Sequence, residues 1–578
     1  MHMGSLLAIC FRVVLALCNL SFFQPDEYFQ ALEPAHHLVF GYGHLTWEWT
    51  NPGPLRSILY PALNVPCFWF LKAFGWDTRF PWLLIAVPRV VHGALAALTD
   101  IWVCQLTRKV LNDAFVSTTY FLSLTSFFHA LSLSRSLSNS FETSLTTIAL
   151  SYFPWDSITS SRPVSPRVDV RHCAVFAALA CILRPTNAII WVYMFGALLW
   201  RFRGQKCTLL VLIRDCMTIG LFALLSLFAL DSVYYGKPTL TLLNFLWFNA
   251  SSVSLFYGSS PWHYYLSQGL PILCTTALPF VFHGMWLAVK NAEPKPKMLL
   301  GCIVWTVGVY SIAGHKEWRF LHPLLPMLHI FASRSLVELY HRRPTGEPNG
   351  KPPHHAKSSF SPLPIRSSHL YLLLISVPAS VFVVFFHCTG QIKVMSYLRS
   401  QPPDELASVG FLMPCHSTPW QAYLHRPELA QPGIMWALGC EPPLGVQNQV
   451  KYKDQTDVFF ESPLLYMTNH FPLAVDPAYP PSPFSVSTPN AQFIKRLQEV
   501  ELTSQSWDLG WTHEWPRHIV LFGALLQEPG MLDLLRGNEY AEVWKGGWEW
   551  EGEGKRKGGV RVWKHRPSVA QHRQDVEH

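Results

Sequence analysis

Long apolar runs recur along the first two thirds of this 578-residue chain, and they decide what it can fold into. Residues 4–20, 81–104, 174–200, 208–230, 298–313 and 369–388 are the clearest, and several approach the roughly 20 residues that cross a bilayer core. Only 14% of residues are charged, against roughly 25% in an average globular protein, while 50% are hydrophobic. The first run is not a cleaved signal, because Phe22-Phe23-Gln24-Pro25 follows it instead of a small-residue cleavage site. It reads as a retained span, with Arg12 snorkelling toward a headgroup. The chain is an integral membrane protein.

About eleven spans are expected, at 4–20, 55–74, 83–104, 112–132, 139–153, 174–200, 208–230, 270–290, 298–313, 322–340 and 369–388. Loop charge orients them, since Lys and Arg collect on the cytosolic side. Loop 341–368 is basic and rich in Pro, Ser and His, and is expected to be a flexible cytosolic insert. Connections 201–206 and 290–297 are basic too, whereas the first loop, 21–54, is acidic and holds no Lys or Arg. These loops place the N-terminus in the cytosol and the first loop and C-terminal region in the lumen. Arg108-Lys109 and the segment 162–171 run against that scheme.

From about 389 the chain turns polar and Pro-rich, as in a small mixed α/β luminal domain over 389–545, with strands expected at 457–460 and 518–525. The tail 546–578 is expected to be disordered. The net charge of +8 is scattered over loops and tail, which argues against nucleic acid as a partner. Thirteen cysteines show no CxxC pair; Cys415 and Cys440 lie well inside the polar region and can pair if it is luminal.

Three clusters can carry chemistry. Asp26-Glu27 directly follow the first span, where burial can raise a carboxylate toward general-base use; simple solvated loop charge is the alternative. Arg184, in Leu183-Arg184-Pro185-Thr186-Asn187, falls inside an apolar run at a cost of about 2.5–3.5 kcal/mol. It is either functional or the cap of a proline kink or a span end. His315, Lys316 and Arg319, in Gly314-His315-Lys316-Glu317-Trp318-Arg319-Phe320, sit in a short loop between two spans and can hold a phosphodiester. Trp47, Glu48, Trp49, Trp262 and His263 can stack on and bond a carbohydrate, or simply anchor at the interface.

The sequences Pro25-Asp26-Glu27-Tyr28-Phe29-Gln30 and Tyr42-Gly43-His44-Leu45-Thr46-Trp47-Glu48-Trp49 resemble the first luminal loop of the dolichyl-phosphate-mannose-dependent mannosyltransferases. Further along, 134–142, 184–187, 257–263 and 315–320 match the same family in order, over about residues 20–525. Many members carry histidine before the acidic pair, where this chain has Gln24-Pro25.

The resemblance implies a polytopic α-helical GT-C fold in the endoplasmic reticulum membrane, with its active site facing the lumen. It implies dolichyl phosphate mannose as donor, with no cofactor. The luminal stretch 412–419 points to a glycosylphosphatidylinositol (GPI) lipid bearing two mannoses as acceptor, with an inverting α1,2 transfer. Asp26 is then the base, with Glu27 the alternative or its tuner. Arg184, His315, Lys316 and Arg319 are the donor-phosphate ligands, and Trp47, Glu48, Trp49, Trp262 and His263 the acceptor contacts. No metal is expected, since the chain has no DxD motif. Two other readings stay open: a relative that adds a different mannose, to the GPI precursor or to the dolichol-linked oligosaccharide, and a lipid or solute transporter with binding groups on a broken helix.

Overall fold

The computed structural model describes residues 2–160, 167–342, 363–443, 452–483 and 511–566. Most of the expected insert, at 343–362, and the last tail residues, 567–578, lie outside that set. The chain divides into two compact units. The first comprises Met1–Cys18, Arg89–Leu242 and Tyr257–Val384; the second comprises Asn19–Pro88, Leu243–Phe256 and Phe385–His578.

The first unit is helical. Leu83–Val110, which enters it from the second unit, Lys206–Tyr235, Tyr265–Lys290 and Ser367–Ser400, which runs on out of it, are helices long and apolar enough to cross a membrane. Shorter ones pack among them: Ser138–Tyr152 against Arg167–Leu183, Val116–Thr125 against Leu325–His341, and Ala188–Phe202 against Pro294–Ile312. Phe128, Trp155, Trp191 and Phe331 anchor the core. Small residues let helices close in, as membrane packing requires. At Gly284 an added Cβ would stand 1.9 Å from the Phe331 carbonyl oxygen, and at Gly93 2.8 Å from the Cα of Val13.

Three expected spans are revised. The run 55–74 is not one helix: a turn at Pro61–Leu63 and a nine-residue helix, Val65–Ala73, replace it. Nine residues rise only about 14 Å, too little to cross, and Pro61 and Pro66 punctuate the run. Residues 112–132 split into Val116–Thr125 and a π-turn, His129–Leu133. The run 174–200 is two helices, Arg167–Leu183 and Ala188–Phe202, parted where Pro185 lacks an amide hydrogen. Arg12 does not snorkel. It is fully buried, with Nε and Nη2 on the two Asp100 carboxylate oxygens at 2.7 and 2.9 Å.

The second unit carries a five-stranded sheet in the order β2-β1-β3-β5-β4, formed by β1 (Val409–Leu412), β2 (Met435–Ala437), β3 (His518–Phe522), β4 (Tyr540–Gly546) and β5 (Val560–His565). β1 runs parallel to β2 and β3, while β5 is antiparallel to β3 and β4. Strand alternation gives it two apolar faces. Val409, Phe411, Val520 and Val562 pack with Tyr28, Phe29 and Leu32 of the first loop. Leu412, Ile519, Leu521 and Trp563 pack with Trp436 and Trp515.

The strand expected at 518–525 is β3, but 457–460 lies inside a helix, Gln455–Glu461. Asp454 caps that helix by accepting the Asp457 amide, and the cap outweighs the strand propensity of Val458-Phe459-Phe460. The tail expected to be disordered from 546 supplies β5 instead, whose Val560 and Val562 fill the core. Cys415 and Cys440 form a disulfide.

Candidate active site

In the second unit, Asp26 and Glu27 open the helical turn that leads into Tyr28–Leu32 and Glu33–Phe40. Pro25 starts that turn, its carbonyl accepting the Tyr28 and Phe29 amides at 2.9 and 3.0 Å. Asp26 is half-buried and Glu27 buried. The next turn places Phe29 against the His416 ring, 4.4 Å between centroids. Burial pushes the His416 imidazole down to about 4, while the Asp26 charge opposes the shift, so the two groups lie within electrostatic reach.

Glu33 is fully buried and accepts three backbone amides, from His44 at 2.8 Å, Ala422 at 2.8 Å and Gln421 at 3.1 Å. It ties the first loop to the segment after the disulfide. Beside it His36 Nδ1 donates to the Tyr42 carbonyl (3.1 Å) and its Nε2 meets His425 Nδ1 at 2.9 Å, while His425 Nε2 lies 3.5 Å from Asp77. Neither Glu33 nor His425 is among the candidates the sequence offers. The available signal for Glu33 was an acid seven residues after Asp26, in a loop with no cation to pair it.

The expected carbohydrate contacts divide. Trp47 and Trp49 are buried at 5% and 4% exposure, and the Trp49 indole donates to the Phe29 carbonyl at 3.0 Å. They are core residues, and the stacking face expected of them is not there. Glu48 accepts from Arg56 at 2.6 Å and from Gln30 at 3.2 Å. In the first unit Trp262 is 70% exposed, with His263 bonded to Ser267 at 3.0 Å.

The first unit holds the cations. Arg184 caps the break between its two helices in an extended conformation. Its Nε lies 3.1 Å from the Glu142 carboxylate and its Nη1 donates to Ser138 at 3.0 Å. Glu142 also accepts from Asn187 at 2.8 Å, so the break is clamped by a buried acid one helix away. The loop at 314–320 is knitted to 258–260. His315 Nδ1 meets the Gly258 carbonyl at 3.1 Å, Lys316 donates to the Ser260 carbonyl at 2.8 Å, and the Ser260 amide donates to Gly314 at 3.1 Å. Glu317 pairs with Arg319 and His315. Burial raises the Glu317 carboxyl, but the Arg319 charge and the hydrogen bonds from His315 and Arg319 outweigh it, holding it far below the usual range. The bond to Glu317 raises His315, against burial.

Arg184 and Arg319 come together at Phe320, 5.5 and 5.9 Å from its ring centre. Arg184, Lys316 and Arg319 outnumber the two acids Glu142 and Glu317 by one charge, and a protonated His315 adds to that excess. Such a group can hold an anionic lipid phosphate. The acidic pair of the first loop belongs to the other unit. Among the described residues two groups have metal-like spacing, and neither includes Asp26, Glu27 or a cation of this cluster. In Cys415, His416 and Cys440 the disulfide takes both thiols; the other is His387, Cys388 and Glu551.

A family model described as the Alg9-like mannosyltransferase family matches residues 5–425. GPI mannosyltransferase 3 from Yarrowia lipolytica is 35% identical over 472 residues, covering 80% of this chain and 82% of that protein. GPI alpha-1,2-mannosyltransferase 3 from Mus musculus is 35% identical over 473 residues, covering 81% and 78%. GPI mannosyltransferase 3 from Debaryomyces hansenii is 32% identical over 542 residues, covering 92% and 86%. Among solved structures, ArnT from Cupriavidus metallidurans bound to undecaprenyl phosphate aligns with a TM-score of 0.54 at 10% identity, covering 98% of this chain and 99% of that one. That likeness is one of fold.

Proposed function

The chain belongs to the Alg9-like mannosyltransferase family, a group of membrane glycosyltransferases, and on that premise we propose that it adds the third, α1,2-linked mannose to the GPI precursor. The GPI mannosyltransferase names of its relatives support this acceptor, at 31–35% identity over at least four-fifths of the chain. The donor is dolichyl phosphate mannose.

Inversion in one step needs a base for the acceptor hydroxyl. Asp26 takes that proton, with Glu27 beside it, while the acceptor oxygen bonds to the mannose C1. The C1–O bond to phosphate breaks, and dolichyl phosphate leaves with the electron pair. The leaving group needs no proton, only cations. The observation that carries this part is the pairing of Arg184 and Arg319 at Phe320, with Lys316 and His315 on the same loop. Preformed charge of this kind stabilises a leaving phosphate without a metal. Activity is expected to persist in excess chelator; a loss reversed only by one divalent ion would overturn that point.

We place the protein in the endoplasmic reticulum membrane with these residues luminal. Loop charge supports eleven crossings once 55–74 is dropped and 174–200 counted twice. Arg108-Lys109 then fall on the cytosolic side with the basic loops at 201–206 and 290–297. Arg56, Lys72 and Arg79 become the luminal exceptions.

The test is the GPI intermediate that accumulates in cells depleted of the protein and rescued with wild type or Asp26→Asn. A two-mannose species cleared by wild type alone supports both acceptor and base. Normal GPI intermediates with a truncated dolichol-linked oligosaccharide would leave the family intact and overturn the acceptor.

A further inference from the structure

A second polar cluster lies one turn from the phosphate-binding cations, and the reaction as derived does not use it. Three imidazoles, His129, His322 and His329, are at most 3% exposed. His129 packs 5.4 Å from His322 and 5.1 Å from His329, ring centre to ring centre. Arg12 joins them through Ser123, whose carbonyl accepts from Arg12 Nη2 at 2.8 Å and from His129 Nδ1 at 3.2 Å. That contact puts the His129 proton on Nδ1 and leaves Nε2 a bare acceptor.

Five buried nitrogens then find no hydrogen-bond partner among the described residues: Arg12 Nη1, His129 Nε2, both ring nitrogens of His322, and His329 Nδ1. Native chains leave few such atoms unpaired, and here five fall on four neighbouring side chains. Phe128 packs edge-on to His322 at 4.8 Å and to Trp318 at 5.4 Å, which fixes these rings but offers no acceptor.

The set defines its ligand. A neutral imidazole has one donor and one acceptor nitrogen, and Arg12 Nη1 only donates. Asp100 already balances the Arg12 charge. The ligand must therefore donate, accept and carry no charge, which is how internal water serves two to four polar partners.

We propose that Arg12, His129, His322 and His329 enclose an internal water site, and that through it His322 is a positioning residue for the cations that bind the donor phosphate. His322 and Arg319 share the 3₁₀ stretch Trp318–Leu324, one turn apart, so water bonds at one end fix the backbone that carries Arg319 at the other. The positioning half rests on the reading that Arg319 and Lys316 hold the donor phosphate.

The experiment uses the full-length protein in lipid nanodiscs, with electron cryo-microscopy at a resolution that shows ordered water and kinetics with dolichyl phosphate mannose. The expected result is water density bonded to His322, lost in His322→Phe. That variant should raise the donor KM about tenfold, more than it lowers kcat, with the unfolding midpoint nearly unchanged. His322→Gln, which keeps a donor and an acceptor, should restore the KM. If His322→Phe fails to fold, His129→Phe makes the same test from the other side of the pair. A dry cluster, or a Phe variant with wild-type donor KM, overturns the proposal. Should Arg319→Ala and Lys316→Ala themselves leave donor KM unchanged while the water remains, the phosphate reading and the positioning role fall and the water site stands.

Discussion

Glu33 has a fully buried carboxyl group with three backbone amides pointing at it. Burial pushes it up from 4.5 to about 7, and the three amides only partly offset this. The folded protein thus holds a proton that the unfolded chain releases between those values. Stability from this group is complete below pH 4.5 and is lost as pH rises through about 7. Glu33→Ala leaves three buried amides unpaired, at about 1–3 kcal/mol each. Thermal unfolding in detergent should show a loss of about 3 kcal/mol or more at pH 5, and a smaller one at pH 8, where wild type has already lost its share. His315 acts in the same direction for function. Its bond to Glu317 favours the charged ring, so donor affinity should weaken as pH rises through its raised value. A donor KM measured against pH should flatten in His315→Gln.

The break at Arg184 shows how an element can be misread while its residues are read well. An arginine inside an apolar run marked the place, but a continuous run cannot reveal that two helices meet there. What reveals it is Glu142, a buried acid on another helix, and pairing over that separation is invisible to local periodicity. Removing one partner of a buried pair costs about 3–5 kcal/mol, because the other charge stays behind. Glu142→Ala should therefore lower the unfolding midpoint more than Glu142→Leu with Arg184→Met combined, which removes both charges. The stretch at 457–460 failed for a related reason: three strand-forming residues were outvoted by one capping aspartate. The long spans at 83–110 and 206–235 were legible because apolar length alone decides them. Of the candidate site, the cations were legible as a motif; Trp47 and Trp49 were not legible as core, since an aromatic pair reads the same at a surface and inside.

At the scale of the whole molecule, the proposed arrangement, with 55–74 dropped and 174–200 counted twice, keeps eleven crossings and reverses the side of the connections at 75–82, 105–111 and 133–138. That arrangement puts Arg108-Lys109 on the side where basic residues collect. The Cys415–Cys440 disulfide is expected to form in an oxidising compartment. An epitope inserted after Asn112, in the short connection before Val116–Thr125, distinguishes the two arrangements. In cells whose plasma membrane alone is permeabilised, antibody should reach that epitope, and should reach one placed in the loop after β4 only when internal membranes are opened as well. If the first epitope stays hidden until then, 55–74 crosses after all, and the nine-residue helix Val65–Ala73 cannot be the whole of that segment in the bilayer.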